Sequence, residues 1–457
     1  MPDPRLGAAR AVAALLRRAG RGGTSLPGRL LMRADPGALG RLGARLPGGS
    51  AIVTGTNGKT TTAAMAATIL EGQGVRLVHN RAGANMAGGV ASALLGAVGR
   101  GGAMTGELGL FEVDELWVAQ VVDALSPRAL VLGNLFRDQL DRYGELETIA
   151  DRWAGVVASS AGRRARLALN ADDPLVADLG RERDHVLYFG VEDDGVALPG
   201  LEHASDAKHC RRCGAPYVYD AVYLAHLGRY HCPNCDARRP DPRVVAEDIR
   251  LHGLRGSRFV LRTDAGRWPV ELPLPGLYNI YNALAATSLA LTLDRHEDEI
   301  VRGLEAVRPV FGRAESVALG PRELQILLVK NPAGANEVLR TLSLEPGQHD
   351  LLGVLNDRVA DGRDVSWVWD ADFESIAPRV RRMTCSGLRA AELALRMKYA
   401  GVPTDRLAVE PDLAAALDHA AADGDSGAPL YALPTYTAML ELRDLLAARG
   451  QVASSWA

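Results

Sequence analysis

The stretch Val53-Thr-Gly-Thr-Asn-Gly-Lys-Thr-Thr-Thr62 decides the fold. Residues 51–53 before it are a short strand-forming run, and residues 60–70 after it have helical spacing with no breaker. Strand, glycine turn and helix in that order make a phosphate-binding loop. Gly55 and Gly58 let backbone N–H groups face an anion. Lys59 places an ammonium on the β and γ oxygens of a nucleotide, and Thr60 offers a hydroxyl to Mg²⁺. The helix start adds the positive end of its dipole. The first glycine of the commoner GxxxxGKT pattern would stand at position 53, where this chain has valine, so the loop is a shorter variant. ATP is the expected ligand of Gly55, Thr56, Asn57, Gly58, Lys59, Thr60 and Thr61, and its turnover is expected.

Outward from the loop, strands are predicted at 76–78, 129–132 and 166–169, with helices at 87–98 and 149–159. That alternation implies an α/β fold, a parallel sheet covered by helices on both faces. After residue 242 strand-like runs at 259–261 and 268–272 precede a helix at 282–291. A second α/β unit follows, with strands near 324–329, 351–355 and 429–432 and helices near 333–341, 389–400 and 437–449.

The 457 residues are enough for about three domains. A hydrophobic content of 47% and a charged content of 23% belong to a globular protein in water. A net charge of −3 argues against a general nucleic-acid binder. No run reaches the ~20 apolar residues of a membrane span. Residues 5–45 are rich in Arg, Ala and Leu. The apolar run 11–16 is broken by Arg17 and Arg18, too early for a signal peptide. The segment reads as a solvated basic helix capping the first domain, with a face skimming an anionic membrane as the second reading. Lysine occurs only at 59, 208, 330 and 398. In a chain that otherwise uses arginine, a retained lysine marks a place where a compact point charge is wanted.

Four of the five cysteines stand as Cys210-Arg-Arg-Cys213 and Cys232-Pro-Asn-Cys235, a spacing suited to tetrahedral zinc in a reducing compartment. Four thiolates leave no open position for water, so Zn²⁺ here is structural, rigidifying an insertion over 203–242. Contact of that ribbon with a partner or a nucleic acid is the lesser reading. Cys385 reads as a small buried apolar residue.

Thr54-Gly-Thr-Asn-Gly-Lys-Thr-Thr61 resembles the ATP loop of the Mur ligases and folylpolyglutamate synthases. In order along the chain, so do Glu112 in Phe-Glu-Val-Asp-Glu, Leu169-Asn-Ala-Asp-Asp-Pro174, Tyr278-Asn-Ile-Tyr-Asn-Ala-Leu-Ala-Ala286 and Gly312-Arg-Ala-Glu315. The zinc quartet, Lys330-Asn-Pro-Ala-Gly-Ala-Asn-Glu337, the stretch Asn356-Asp-Arg-Val-Ala-Asp-Gly-Arg-Asp364 and the ending Tyr436-Thr-Ala-Met-Leu440 are similar to the MurT branch, the synthetase subunits of lipid II isoglutaminyl synthase.

The resemblance implies a basic N-terminal segment at 1–48, a Mur-ligase-like ATP-binding domain at 49–312 holding the ribbon, and a Rossmann-like C-terminal domain at 313–457. It implies ATP-dependent amidation of the D-glutamate α-carboxylate of lipid II through an acyl phosphate. Ammonia would come from a GatD-type glutamine amidotransferase. By the same resemblance Thr60 and Glu112 hold Mg²⁺, Lys59 neutralises the γ-phosphate, and Asn282 and Arg313 join the nucleotide site. Asp357, with Asp361 and Asp364 as rivals, completes the partner's Cys–His triad. A cytoplasmic protein, at most peripheral at the inner face of the plasma membrane, is implied. No cysteine carries a glutaminase signature, so the chain alone should lack that activity. The competing readings are a stand-alone amino-acid-adding ligase and a zinc-ribbon P-loop ATPase that binds nucleic acid.

Two departures stand out. Ordinary Mur ligases use a carbamylated lysine in the central domain, and here the only lysine between the loop and Lys330 is Lys208. In Asn134-Leu-Phe-Arg-Asp-Gln-Leu-Asp141, Gln139 replaces the histidine of the ordinary ligases. Asp138 and Asp141 could equally cap the helix that follows.

Overall fold

The computed structural model describes residues 25–80, 84–99, 101–138, 146–203, 205–308, 313–422 and 428–452. Its first strands are β1 (Ser50–Thr54), β2 (Leu77–His79), β3 (Leu108–Glu112), β4 (Ala129–Leu132), β5 (Arg166–Asn170) and β6 (Leu187–Val191). A hairpin, β7 (Val218–Leu224) and β8 (Leu227–His231), stands apart in its own sheet. Next come β9 (Val244–Leu251), β10 (Ser257–Thr263) and β11 (Gly266–Leu272).

The large sheet has the order β11-β10-β9-β6-β5-β4-β1-β3-β2. β1 sits parallel between β3 and β4 and is buried at every residue, as a strand covered on both faces must be. The expected parallel sheet is therefore a mixed one. β9, β10 and β11 pair antiparallel, because the turns joining them are too short for the crossover a parallel neighbour requires. Helices Lys59–Gly72 and Leu277–Thr292 pack on one face of the large sheet, and the second is buried almost all round. Its alanines, serines and threonines allow that close packing.

The N-terminal segment departs from the solvated helix expected of it. Among its described residues, helices Leu26–Ala34 and Ala38–Gly43 bury Leu31, Leu39 and Leu42 in the second core, against helix Ala87–Gly96. Arginines occupy the outer face, so this is an amphipathic cap.

The C-terminal unit comprises β12 (Arg313–Leu319), β13 (Arg322–Leu327), β14 (His349–Val354), β15 (Val380–Ser386), β16 (Leu407–Val409) and β17 (Leu430–Pro434), in the order β12-β13-β17-β14-β15-β16. All but the hairpin strand β12 run parallel. The residues just past β13, β14, β15 and β17 consequently share one end of the sheet, where open α/β folds place their ligands. Lys330, Asp357 and Tyr436 all stand at that end.

Candidate active site

Gly58 makes the phosphate loop possible. Its φ of +81° is left-handed, and a Cβ there would come within 1.9 Å of Asn282 Oδ1. Only glycine meets both conditions. The turn delivers Lys59 and Thr60 to the first turn of helix Lys59–Gly72, whose leading amides lack intrahelical acceptors and whose dipole favours an anion.

Lys59 Nζ donates to Gly55 O at 2.6 Å and Thr56 O at 3.2 Å, and it pairs with Glu115 Oε2 at 2.9 Å. Burial works to lower the pKa of this ammonium. Glu115, then Asp114 and Glu112, outweigh that effect, so the pKa is raised and the side chain stays a cation. Thr60 Oγ1 donates to Glu112 Oε1 at 3.1 Å. The buried Glu112 is held by Asn80, whose side chain bonds its backbone N–H and C=O at 3.0 and 2.7 Å. A hydroxyl and a fixed carboxylate at one point are the oxygen donors a hard cation takes, so these residues fit Mg²⁺.

Asn282 braces the loop from below. Its Oδ1 accepts from Thr62 Oγ1 at 3.2 Å, and its Nδ2 donates to Asn279 Oδ1 at 3.0 Å. It lines a small cavity with Asn57, Lys59, Thr62, Asn134 and Asn170. Arg313 opens β12, but its side chain lies outside the described residues, as do Gln139, Asp141 and Gly312.

Several contributors carried no site role in the sequence reading. Glu115 is one. Asn134 is another: its side chain accepts from Asn57 N at 2.8 Å and donates to Asn57 O at 3.1 Å. The third group comes from the C-terminal unit. Lys330 Nζ lies 2.5 Å from Asp138 Oδ2 and donates to Thr56 O at 3.2 Å, while Asn331 pairs with Asn57 through both side-chain amides. The scarcity of lysine was the signal for Lys330; its partner Asp138 reads in sequence only as a possible helix cap.

Asp357 follows β14, its Oδ2 held by Arg389 Nε and Nη2 at 2.8 Å each, and it remains partly exposed. Its rivals are placed differently. Asp361 is buried and accepts from the backbone N of Thr437 at 2.7 Å, and Asp364 is exposed and accepts from Ser366 N at 2.8 Å.

The four cysteines of the ribbon converge, with every pair of sulfurs within 4.8 Å. The Cys210–Cys235 and Cys213–Cys232 separations are 3.6 and 3.4 Å. A tetrahedral Zn–S₄ centre, with bonds of ~2.3 Å, needs sulfurs ~3.8 Å apart, so the quartet fits that ion. Tyr217, Tyr219 and Tyr230 pack against one another inside the ribbon, with ring centroids 5.1 to 6.5 Å apart. Lys208 is exposed on the ribbon.

Comparison with known proteins places this geometry. Residues 53–235 match the family model of the Mur ligase middle domain, and residues 328–439 match that of the MurT ligase C-terminal domain. The chain is similar to the lipid II isoglutaminyl synthase (glutamine-hydrolyzing) subunit MurT of Streptococcus pneumoniae, at 34% identity over 95% of this chain and 94% of that one. It is also similar to the MurT subunit of Staphylococcus aureus, at 30% identity over 94% of each chain. Among solved structures, a pseudomurein peptide ligase type C from Methanothermus fervidus shares the fold, with a TM-score of 0.68 at 23% identity over 88% of this chain and 79% of that one. No helix among the described residues is long and apolar enough to cross a membrane. A Mur-ligase fold carrying a MurT C-terminal domain, with such identity across nearly its whole length, makes this chain a member of the MurT family.

Proposed function

We propose that this chain is the ATP-consuming, amide-forming subunit of a lipid II isoglutaminyl synthase, converting the D-glutamate α-carboxylate of the stem peptide to the amide of D-isoglutamine. The observation that carries this reading is the phosphate loop, with Lys59 and the Thr60–Glu112 pair set beneath a MurT-type C-terminal unit in direct contact with it.

A carboxylate is a poor acyl donor because oxide is a poor leaving group. In the first step the γ-phosphorus leaves the β-bridging oxygen, whose electron pair stays on ADP, and bonds to a carboxylate oxygen. In the second, ammonia attacks the acyl carbon and the C–O bond to phosphate breaks. Inorganic phosphate departs, and the nitrogen loses one proton to give the primary amide. Gly55–Thr61 cradle the triphosphate and Lys59 neutralises charge on the γ-phosphoryl as it moves. Thr60 and Glu112 would hold Mg²⁺, which would neutralise phosphate charge when bound. Asn282 would face the adenine. Zn²⁺ on Cys210, Cys213, Cys232 and Cys235 would be structural.

Ammonia is largely protonated at neutral pH, so it is best delivered from a docked glutaminase. The relatives are named as subunits of a glutamine-hydrolyzing enzyme, which supports a GatD-type partner for this chain. Asp357, at the ligand end of the C-terminal sheet, is the carboxylate assigned to that partner's Cys–His pair. The domain limits are 49–312 and 313–457, with the ribbon at 203–242. The test is co-purification with a glutamine amidotransferase, followed by mass spectrometry of lipid II treated with ATP and glutamine. A change of one acid to one amide is expected. An amide formed with no nucleotide consumed would overturn the proposal.

A further inference from the structure

Two of the four lysines in this chain meet on one atom. Lys59 Nζ and Lys330 Nζ each donate to Thr56 O at 3.2 Å, so their nitrogens are separated by no more than twice that distance. One comes from the central unit and the other from the stretch just before the second unit's first long helix, Pro332–Ser343. Two ammoniums crowded onto a single loop carbonyl repel each other, and each is balanced by its own carboxylate, Lys59 by Glu115 and Lys330 by Asp138. The two lysine nitrogens thus flank the Thr56 carbonyl of the phosphate loop, each held as a cation by its own carboxylate.

Asp138 engages Lys330 through one of its two oxygens. Its Oδ2 takes the ammonium, while its Oδ1 is buried with no hydrogen-bond partner among the described residues. The Lys330 side chain is one-quarter exposed, and four rotatable bonds let its nitrogen turn from Asp138 toward the mouth of the loop. Its backbone cannot drift, because the next residue, Asn331, is joined to Asn57 and caps the helix through Gly334 N. Arg340, on the same helix, donates to Val196 O at 2.6 Å and Tyr223 O at 2.9 Å and fixes the other end.

We infer that Lys330 is a second phosphoryl-binding cation, supplied by the C-terminal unit, that exchanges Asp138 for the γ-phosphate of ATP and then for the acyl phosphate. Seating of the C-terminal unit is thereby made part of the chemistry. A loop lysine alone cannot distinguish a closed enzyme from an open one, whereas a cation carried on the closing unit is present only when the site is shut and water is excluded. The inference rests on the amidating reading only for the identity of the phosphoryl acceptor.

The test is nucleotide discrimination by the full chain. Calorimetric binding of ADP and of a β,γ-imido ATP analogue, both with Mg²⁺, is measured for the native protein, Lys330→Met and Lys330→Arg. Lys330→Met should bind the analogue about tenfold more weakly and ADP within about twofold of the native value, because only the analogue carries a γ-phosphate. Ammonium-fed amide synthesis by that variant should fall about a hundredfold in kcat, and Lys330→Arg should keep much of the discrimination. Equal weakening of both nucleotides, the signature of a mere interdomain latch, overturns the inference; so does no weakening of either. Should Lys330→Met fail to fold, Asp138→Asn decides. Freed of its counter-ion, Lys330 should then hold the analogue at least as tightly as in the native chain, and weaker binding overturns the proposal. Absence of any amide on lipid II would count against the function proposed above, and the discrimination between nucleotides would still judge Lys330.

Discussion

Asn57 and Asn331 exchange both halves of an amide pair, the Nδ2 of each donating to the Oδ1 of the other at 3.1 and 3.0 Å. The two residues belong to different units, so this pair, with the Lys330–Thr56 bond beside it, joins the phosphate loop to the C-terminal unit. Asn331 also caps helix Pro332–Ser343 by accepting from Gly334 N at 2.9 Å. Asn57→Ala should loosen the contact alone, whereas Asn331→Ala should lose the cap as well, a further ~1 kcal/mol. Both should raise the KM for ATP, and thermal melts should rank Asn331→Ala below Asn57→Ala. Identical melts would show that the cap contributes nothing.

Lys59→Ala should end amide synthesis, since it removes the cation from the transferring phosphoryl. It also strands the buried Glu115, a defect on the order of 3 kcal/mol. Adding Glu115→Gln should therefore recover the melting temperature without recovering activity. Measurable synthesis in either variant would remove the phosphate-loop assignment.

Asp357→Asn, made in the complex with the glutaminase, should abolish glutamine hydrolysis and spare synthesis fed with ammonium. Asp361→Asn should act otherwise, lowering stability, because Asp361 is buried against the start of helix Tyr436–Ala448. Survival of both activities in Asp357→Asn would return the role to Asp364 or to neither.

The strand–turn–helix at the loop was legible because strand, glycine and lysine occur in one short run, and local geometry fixes their use. β3 and β15 were not foreseen. β3 is a short, fully buried run, and such runs have no alternation to distinguish strand from helix; β15 hides its period behind Arg381 and Arg382. The antiparallel end of the large sheet was misread because αβ alternation had set a parallel expectation that the short turns between β9, β10 and β11 defeat. Glu115 carried no role in the sequence and Asp138 only that of a possible helix cap, since a carboxylate gains its meaning only from the lysine it meets, and the partner of Asp138 is 192 positions away.

Glu337 gives the interface a pH dependence. Burial pushes its carboxyl up to about 7; Arg340 pulls it down, and Glu202 adds to the rise. The folded pKa exceeds the unfolded one, so the folded state binds the proton more tightly. Stability is then greatest below the unfolded value near 4.5 and is lost progressively as pH rises to about 7. Glu337→Gln should stabilise the chain by on the order of a few kcal/mol at pH 8 and hardly at all at pH 4. Parallel pH curves of denaturation midpoint for the two proteins would dismiss this.

Cys210→Ser should release one equivalent of zinc and lower the melting temperature, while nucleotide affinity changes little because the ribbon contributes no residue to the loop. Metal analysis of the purified variant decides it; an unchanged zinc content would rule out the quartet.

The excursion from β6 to β9 carries a longer consequence. These strands are parallel neighbours in the large sheet, and a link of that kind is ordinarily spanned by a helix lying on the sheet. Here the described residues between them form short turns and the β7–β8 hairpin beside the cysteine cluster. Were the four thiolates drawn onto one ion, the wandering length that must be closed before β9 can dock would be cut sharply, and the entropy of that closure would fall with it. Metal supply during synthesis would then set how fast the outer three strands, and with them the platform under helix Leu277–Thr292, are completed.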